Sequence, residues 1–410
     1  MKKVILIVLS LALILCGCSL NMAEEDKTSI QPFIESDAKE EYIKSVWITY
    51  YELRDLIGDS NENEFKIKID NVFNDLKNWG FNSVTVQIRA FADSFYRSDY
   101  YPLSKYCFGV EGGKMKYDVL ELLCSAAEKS GIKIEAWINP YRVSFDKDIK
   151  KLSDNNIAKK WYKNKEKKSN VYICKSGIYF NPASKDVTNL IINGVKEIVK
   201  NYNVDAIHFD DYFYPETNKK IDSKEYEENG GNISLSDFRR KNVNDMIKEA
   251  NKVVKSTKSN VKFGISPAAN IDNDYNSLYA DVEKWASDNE FCDYICPQVY
   301  FGFKNVYQPF MFTVKKWTEF TTNDLYIGLP LYKCGKKDKY AAENDSNAIN
   351  EFKNNKNIIA RQINYLAKID DIKGFYVFSY SSIIDEKNRE EVENMIKAIR
   401  NTHPNQNQTQ

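Results

Sequence analysis

The chain has 410 residues, and its 58 Lys and Arg residues balance 58 Asp and Glu residues, so the formal net charge is zero. This balance argues against a nucleic-acid partner and against a basic membrane-binding face, because both need an excess of positive charge. The only histidines are His208 and His403, too few for a histidine-based zinc site or for a catalytic triad built away from His208. We therefore predict no metal, no cofactor and no nucleic-acid ligand. The composition leaves the oligomeric state open.

The N-terminal segment has the pattern of a bacterial lipoprotein signal. Lys2 and Lys3 precede an apolar run at residues 4–16, which is too short for a settled membrane span. The letters LCGC at 15–18 resemble a lipobox, which predicts cleavage before Cys18 and lipidation of its sulfur. We predict a signal peptide at 1–17, a lipidated N-terminus with a flexible tether at 18–40, and an exported protein anchored in the membrane at the cell surface or in the periplasm. The alternative is an ordinary cleaved signal that leaves Cys18 free.

Residues 41–401 alternate between two periodicities, and 402–410 have the composition of a disordered tail. Short apolar or β-branched segments predict strands at 45–50, 83–89, 133–139, 206–210, 262–266, 294–298, 325–329 and 375–379. Amphipathic segments predict helices at 65–79, 119–130, 187–202, 235–257, 279–287, 313–322, 358–369 and 388–400. Eight such alternations predict a parallel sheet with helical crossovers, closed as a (β/α)8 TIM barrel that forms a single domain. An open doubly wound sheet is the alternative.

Polar side chains gather where the predicted strands end. They are Gln87, Arg89 and Asp93 after the second strand, Asn139 and Arg142 after the third, His208, Asp210 and Asp211 at the fourth, Ser266 at the fifth, and Gln298 and Tyr300 at the sixth. Barrel enzymes build their active sites from the carboxyl ends of the strands. The pattern therefore predicts a site at that end.

Asp210 and Asp211 are the most informative pair, within the segment VDAIHFDDYFYP at 204–215. Because strand side chains alternate, His208 and Asp210 should share one face, with Asp211 just beyond the strand end. Burying two adjacent acids costs free energy, which favours a functional role. The alternative is a solvated turn in which an aspartate caps the next segment.

Aromatic residues accompany these acids. They include Trp137, Tyr141, Tyr212 and Tyr300, together with Phe91, Phe95, Tyr96, Phe213, Tyr214, Phe301 and Tyr380. Sugar rings present an apolar face and a hydroxyl edge, so aromatic platforms beside carboxylates, amides and arginines suit a carbohydrate. Any single aromatic residue of this set is more often part of a hydrophobic core than of a sugar-binding surface. The inference therefore rests on the set as a whole. Of the six cysteines after Cys18, most are expected to be buried free thiols, and one disulfide among loop cysteines is left open.

Several segments together resemble the glycosyl hydrolase-like family 10. They are SVWIT, GFNSVTVQIRAFADSFY, GIKIEAWINPYR, YFNPASKDV, NVDAIHFDDYFYP, ISPAANI, DYICPQVYFGF, LYIGLPLY and GFYVFSYSS, which cover most of 44–382. The resemblance implies a (β/α)8 glycoside hydrolase that acts on cell-wall or related bacterial glycans. It implies an active site of Asp210 and Asp211, joined by Arg89, Asp93, Asn139, Arg142, Gln298 and Tyr300. Glu135 departs from the family pattern, and is either an extra acid or a charge near the bottom of the barrel.

Glycosidases usually pair a general acid with a second carboxylate. We predict that Asp211 is the general acid and that Asp210 orients the substrate or raises the pKa of Asp211, with Asp93 as a candidate second catalytic carboxylate. The predicted substrate-binding residues are Arg89, Trp137, Asn139, Tyr141, Arg142, His208, Tyr212, Gln298 and Tyr300. His208 is expected to hydrogen-bond Asp210.

The sequence-based prediction of function is a glycosidase that cleaves peptidoglycan glycan strands. A glycan-binding surface lipoprotein without hydrolytic activity and a hydrolase of another exopolysaccharide are the alternatives. Histidine scarcity disfavours a metal-dependent deacetylase.

Overall fold

The computed structural model describes residues 41–402. Its strands are β1 (Ile43–Ile48), β2 (Ser83–Arg89), β3 (Lys133–Ile138), β4 (Arg142–Ser144), β5 (Val171–Cys174), β6 (Gly177–Phe180), β7 (Ala206–Phe209), β8 (Lys262–Ile265), β9 (Tyr294–Ile295), β10 (Asp324–Leu329) and β11 (Ile372–Val377). The predicted signal peptide, the lipidation of Cys18, the tether and the tail beyond residue 402 lie outside the described residues.

Eight of these strands close a parallel barrel in the order β1, β11, β10, β9, β8, β7, β3 and β2. The barrel closes where β1 pairs with β2 on one side and with β11 on the other, both in parallel. This arrangement confirms the predicted (β/α)8 barrel and rules out the open sheet.

Each predicted helix is present. The α-helices are Tyr50–Ile57, Glu62–Trp79, Lys105–Phe108, Val119–Ser130, Ile157–Lys163, Lys185–Asn201, Ser223–Asn229, Leu235–Thr257, Ile271–Asn273, Val282–Ser287, Phe310–Thr318, Ser346–Ile349, Glu351–Asn354, Ile358–Leu366, Tyr380–Ile384 and Arg389–Asn401. The helix Glu62–Trp79 shows why these segments are stable. Asn61 and Glu64 form a capping box at its start, and Gly80 ends it in the left-handed region at φ 98°.

Two element boundaries differ from the prediction for local reasons. The regular part of the sixth predicted strand is only Tyr294–Ile295, because Pro297 has no N–H to donate to a neighbouring strand. The helix predicted at 279–287 begins at Val282. A π-helical turn at Asp274–Leu278 precedes it, and Tyr279 adopts a positive φ of 55° that a helix cannot continue through.

A small antiparallel sheet, β4–β6–β5, was not predicted. It is inserted between β3 and β7, and β6 can approach β4 closely only because residue 177 is glycine, where a Cβ would lie 2.1 Å from the Ser144 carbonyl oxygen. The insertion carries Arg142 at the start of β4 and Phe145 just after it, and both reach the mouth of the barrel.

The barrel interior is aromatic around one buried acid. Trp47, Trp137, Tyr294 and Tyr376 belong to an inner core cluster that is distinct from the larger core between barrel and helices. Tyr294 fits because β8 has Gly264 opposite its ring, where a Cβ would lie 1.9 Å from Cζ.

Within residues 41–402, no helix combines the length and apolarity that a membrane crossing requires. The six cysteines of this part of the chain, from Cys107 to Cys334, are free and buried.

Candidate active site

A cavity of about 580 Å³ opens at the carboxyl ends of the barrel strands. It is lined by Trp47, Thr49, Tyr50, Tyr51, Gln87, Trp137, Arg142, Phe145, His208, Asp210, Asp211, Tyr212, Ser266, Gln298, Tyr300, Tyr332 and Phe378. The strand ends that carried polar residues in the sequence therefore do converge on one site. Among the predicted site residues, Trp137, Arg142, His208, Asp210, Asp211, Tyr212, Gln298 and Tyr300 line it.

Asp210 is held firmly at the wall of this cavity, where it is only 2% exposed. Its Oδ2 accepts hydrogen bonds from Trp137 Nε1, at 3.1 Å, and from the side-chain amide of Asn139. Asn139 is itself fixed, because Gln87 Nε2 donates to its Oδ1 at 2.5 Å. The other oxygen of Asp210, Oδ1, has no partner. Burial, followed by the charge of Asp211, raises the pKa of Asp210 to about 7.

Asp211 lies at the lip and is partly exposed. Burial raises the pKa of Asp211, and a hydrogen bond from the Gln298 side chain and the positive charge of Arg142 oppose that shift. Because the two neighbouring carboxyls repel each other when both are ionised, the pair favours a state that holds one proton near neutral pH.

A third acid near Asp211 was not found from the sequence. Asp274 lies in the π-helical turn after β8, is fully buried, and has no partner for either carboxyl oxygen. Burial and then the charge of Asp211 raise the pKa of Asp274 to about 9, so it is protonated at neutral pH. It does not line the cavity. A lone aspartate in a loop carries no sequence signal that would reveal such burial.

Arg142 supplies the positive charge of the cavity. Its Nε donates to the Ala90 carbonyl oxygen at 3.2 Å, and its guanidinium lies over the rings of Phe91, Phe145 and Tyr212 at 5.1, 4.5 and 4.4 Å. Stacking against aromatic faces fixes the plane of the guanidinium and leaves its edge available to a ligand.

His208 lies on the floor of the cavity. The prediction that it hydrogen-bonds Asp210 is wrong. Trp47 Nε1 donates to His208 Nε2 at 3.3 Å, so the proton of the neutral ring is on Nδ1, which donates to the Tyr294 hydroxyl at 3.0 Å. Alternation does place His208 and Asp210 on one face. Trp137 and Asn139, on and just after β3, bind Asp210 instead, while both ring nitrogens of His208 are engaged by Trp47 and Tyr294. Complete burial lowers the pKa of His208 to about 3, so the ring is neutral.

Glu135 lies below this floor and ends the chain of hydrogen bonds. The Tyr294 hydroxyl donates to its Oε2 at 3.0 Å and the Tyr376 hydroxyl to its Oε1 at 2.6 Å. Thr85 and Ser83 add hydroxyl donors at 2.9 and 3.3 Å. Glu135 does not line the cavity, which favours the interpretation as a charge near the bottom of the barrel.

Two predicted binding residues point elsewhere. The pairing of β2 with β3 shifts register after Gln87, so that Arg89 pairs with Ile138 and turns away from the cavity. Its guanidinium carbon lies 4.3 Å from the centre of the Tyr101 ring, outside the barrel. Tyr141 is fully buried in the main hydrophobic core.

Asp93 lies in a neighbouring cavity of about 260 Å³. It is 5% exposed, one of its oxygens has no partner, and burial is the main cause that raises the pKa of Asp93 to about 7. Phe145 lines both cavities, whereas Asp93 lines only the smaller one. The structure therefore does not bring Asp93 together with Asp210 and Asp211.

Further lining residues were not predicted as binding residues. Trp47 and Thr49 lie on and just after β1, Tyr50 and Tyr51 open the helix that follows, and Tyr332 and Phe378 follow β10 and β11. Alternation along β1 could have identified Trp47. The tyrosines at helix starts and in loops had no periodic signal.

The segment that carries Asp211 is fastened by a buried ion pair. Arg239, on the helix Leu235–Thr257, binds Asp222 through Nη2–Oδ1 at 2.6 Å and Nε–Oδ2 at 2.8 Å, and both side chains are fully buried. Tyr214 donates its hydroxyl to Asp222 at 3.0 Å, and Arg239 Nη1 donates to the Tyr279 hydroxyl at 3.0 Å. These contacts join the segment after β7 to the segment after β8.

The part of the chain that the structure describes contains no cluster of three or more His, Cys, Asp or Glu side chains suited to a metal ion. The chemistry available in the cavity is therefore that of two coupled carboxyls, one arginine, amides and aromatic rings.

Two curated glycosyl hydrolases are similar to this chain over most of its length. Glycosyl hydrolase YngK of Bacillus subtilis (strain 168) is 32% identical over 335 residues, which are 74% of this chain and 63% of YngK. Glycosyl hydrolase DigH of Escherichia coli (strain K12) is 28% identical over 374 residues, which are 81% of this chain and 84% of DigH. The chain thus spans less than two thirds of the length of YngK.

Solved structures share the fold at low identity. The PgaB (BpsB) glycoside hydrolase domain from Bordetella bronchiseptica gives a TM-score of 0.59 at 11% identity, and the match covers 87% of this chain and 98% of that domain. Alpha-L-fucosidase isoenzyme 2 from Paenibacillus thiaminolyticus gives 0.56 at 13% identity, with 88% of this chain and 49% of the fucosidase covered. The model of the Glycosyl hydrolase-like 10 family matches residues 42–345. The chain belongs to the glycosyl hydrolase-like 10 family, as its sequence motifs predicted.

Proposed function

We propose that this protein is a glycosidase that hydrolyses the glycan strands of peptidoglycan. The observation that carries the proposal is the coupled Asp210–Asp211 pair in an aromatic cavity of a barrel from a glycosyl hydrolase-like family. The cavity volume of about 580 Å³ lies within the range of about 300–1,000 Å³ that is usual for small-molecule sites.

Asp211 is the general acid in this proposal. It lies at the lip, where a leaving glycosidic oxygen is accessible, and burial raises its pKa, which favours the protonated form that a general acid needs. Asp210 is fixed by Trp137 and Asn139, and its charge disfavours loss of the proton from Asp211.

The aromatic rings suit the apolar faces of sugars. Trp137, Tyr212 and Tyr300 surround the pair, and Arg142 and Gln298 add polar groups for hydroxyl or acetamido oxygens. A sugar that spans these groups would place its glycosidic oxygen near Asp211.

Peptidoglycan is proposed as the substrate because the predicted lipid on Cys18 would hold the enzyme beside the cell wall. Another exopolysaccharide would fit the same cavity. A glycan-binding lipoprotein without hydrolytic activity is the second candidate. The adjacent acids, Asp210 buried and Asp211 at the lip, favour an enzyme over it, because a binding site gains little from holding repelling carboxyls together.

The test is cleavage of purified peptidoglycan strands, with and without stem peptides, followed by mass spectrometry of new reducing ends. Asp211→Asn should reduce turnover by about 10²–10⁴-fold, the usual contribution of general acid catalysis. Asp272→Asn is the matched control, because Asp272 is exposed and does not line the cavity. Loss of less than about tenfold in Asp211→Asn would contradict its role. Binding without cleavage, unchanged in Asp211→Asn, would favour the binding protein.

A further inference from the structure

The neighbouring cavity that contains Asp93, here called the side cavity, takes no part in the proposed chemistry. Its volume is about 260 Å³. Asp93 is only 5% exposed, so its carboxyl is not a group that a ligand reaches easily. The lining residues that are exposed are Lys105, Phe145, Asp146 and Lys151. The side cavity therefore offers a ligand one aromatic ring and three charged side chains.

The aromatic wall of the side cavity continues into the main cavity. Phe145 lines both cavities and is 52% exposed. The Phe91 ring, which lines only the side cavity, lies 5.3 Å from the Phe145 ring. The Tyr106 ring of the side cavity lies 4.8 Å from the Tyr50 ring of the main cavity. A ligand that fills the main cavity can therefore extend over Phe145 and stay on aromatic surface.

The inserted sheet forms the border between the two cavities. Arg142, at the start of β4, lines the main cavity, whereas Ser144, at its end, and Asp146 line the side cavity. The pairing of β4 with β6 holds this segment in place. The eight barrel strands close without β4, β5 and β6. The insertion is thus not needed to form the barrel, which leaves it available for binding a substrate.

The charges that line the side cavity nearly balance. Lys151 Nζ binds Asp146 Oδ2 at 2.5 Å, so these two charges neutralise each other. Lys105 and Glu111 carry opposite charges. Burial raises the pKa of Asp93 to about 7, which leaves this carboxyl partly protonated near neutral pH. A cavity with little net charge favours an uncharged ligand over an anion or a cation.

We infer that the side cavity is a distal sugar-binding subsite, occupied by an uncharged sugar unit of the same glycan strand that is cleaved beside Asp211. This inference rests on the proposed function and extends the substrate site beyond the main cavity. The strand crosses Phe145, and the distal sugar packs its apolar face on that ring. The Lys105 ammonium lies 5.3 Å from the centre of the Tyr106 ring, so it can donate to the hydroxyl groups of a sugar held against the aromatic wall.

A distal subsite has a kinetic consequence. Binding free energy from a part of the substrate that does not react can be used to lower the barrier at the reacting bond. Strands that reach the side cavity should therefore be cleaved more efficiently than strands that fill the main cavity alone. The dependence of kcat/KM on strand length is the quantity to measure.

The first experiment measures kcat/KM of the purified full-length protein in detergent on peptide-free peptidoglycan strands of defined length, from the disaccharide upward. We expect kcat/KM to rise by about tenfold or more at the length that first reaches the side cavity. The double variant Lys105→Ala/Phe145→Ala removes both proposed contacts and should lose about fivefold or more of that rise. Because Phe145 also lines the main cavity, the ratio of long to short strands is compared, which cancels an effect common to all lengths.

Lys114→Ala is the matched control, because Lys114 is exposed in the segment after Lys105 and lines neither cavity. It should keep the full rise. Cleavage without a rise, or the same rise in the double variant as in wild type, overturns the inference while leaving the proposed function intact. Circular dichroism of each variant verifies that it is folded.

The second experiment separates failure of the inference from failure of the proposed function. Calorimetry measures binding of the same strands to Asp211→Asn, with and without the two alanine substitutions. Affinity that rises with length only when Lys105 and Phe145 are present supports the inference even if wild type cleaves no strand. Absence of binding, affinity independent of length, or an equal rise in both proteins overturns it. A rise that requires strands with stem peptides also overturns it, because it would assign the side cavity to a peptide.

Discussion

Asp274 provides a prediction whose size can be worked from the structure. Its carboxyl is fully buried without a partner, and burial together with the charge of Asp211 raises the pKa of Asp274 from 3.8 to about 9. Between these two pKa values the folded protein holds a proton that the unfolded chain releases. Because the folded pKa of this acid is raised, its contribution to stability is lost as the pH rises, at about 1.4 kcal/mol per pH unit. At pH 7 the accumulated loss is about 4 kcal/mol.

Asp274→Asn replaces the protonated acid by a neutral amide of similar shape. Folding of the variant needs no proton uptake. The free energy of unfolding of the variant minus that of the wild type should therefore rise by about 1.4 kcal/mol per pH unit between about pH 4 and pH 9. The amide adds an unsatisfied N–H, which costs about 1–3 kcal/mol at every pH and shifts the whole curve without changing its slope. The slope of the difference is therefore the quantity to measure.

The assay is denaturant unfolding of wild type, Asp274→Asn and Asp272→Asn at a series of pH values across that range. Asp272 is the matched control, because it is exposed in the same segment. Parallel curves for wild type and Asp274→Asn would refute the reasoning, since they would show that the buried carboxyl does not retain a proton. A slope change in Asp272→Asn as well would point to a general effect of charge removal.

Two further variants test how the site is held. Arg239→Met should destabilise the protein by about 3–5 kcal/mol, because it leaves the fully buried Asp222 without its charge partner. Lys241→Met, which removes an exposed ion pair with Asp245 on the same helix, should cost less than about 1 kcal/mol in the same denaturant titration. Glu135→Gln should lower the free energy of unfolding by about 2–4 kcal/mol, since its amide can no longer accept from all four hydroxyl donors. Because Glu135 does not line the cavity, the turnover number per folded molecule should stay within about threefold of wild type, and a loss of about 10²-fold or more would assign Glu135 to the chemistry instead.

The barrel was predictable from sequence because its signal is repeated. Eight apolar segments, each followed by an amphipathic one, leave few topologies, and the parallel crossover rule selects among them. The predicted strands and helices are all present within a few residues. The inserted sheet β4–β6–β5 escaped prediction because its strands are three or four residues long and carry too few positions for a period.

The site was predictable only as far as strand alternation holds. Gln87, Trp137 and Asp210 lie where alternation puts them. Arg89 does not, because one register shift in β2 turns it to the outside of the barrel. Asp274 was beyond reach, since the burial of a loop carboxyl depends on what packs over it and not on local sequence.

The charges around the cavity bear on the kind of glycan that it can accept. His208 is neutral at working pH, because burial lowers its pKa to about 3, so the floor adds no charge beneath the reacting sugar. Glu135 is screened from the cavity by the hydroxyls that it binds, and Asp274 holds its proton. Two charges then face the ligand. One is the negative charge that Asp210 and Asp211 share, and the other is the positive charge of Arg142. These cancel, and a cavity without net charge but rich in aromatic surface favours an uncharged sugar over a polyanionic polysaccharide. A negatively charged substituent would be accepted only beside Arg142, so the substrate is expected to carry its charged groups, if any, on that side of the cleaved bond.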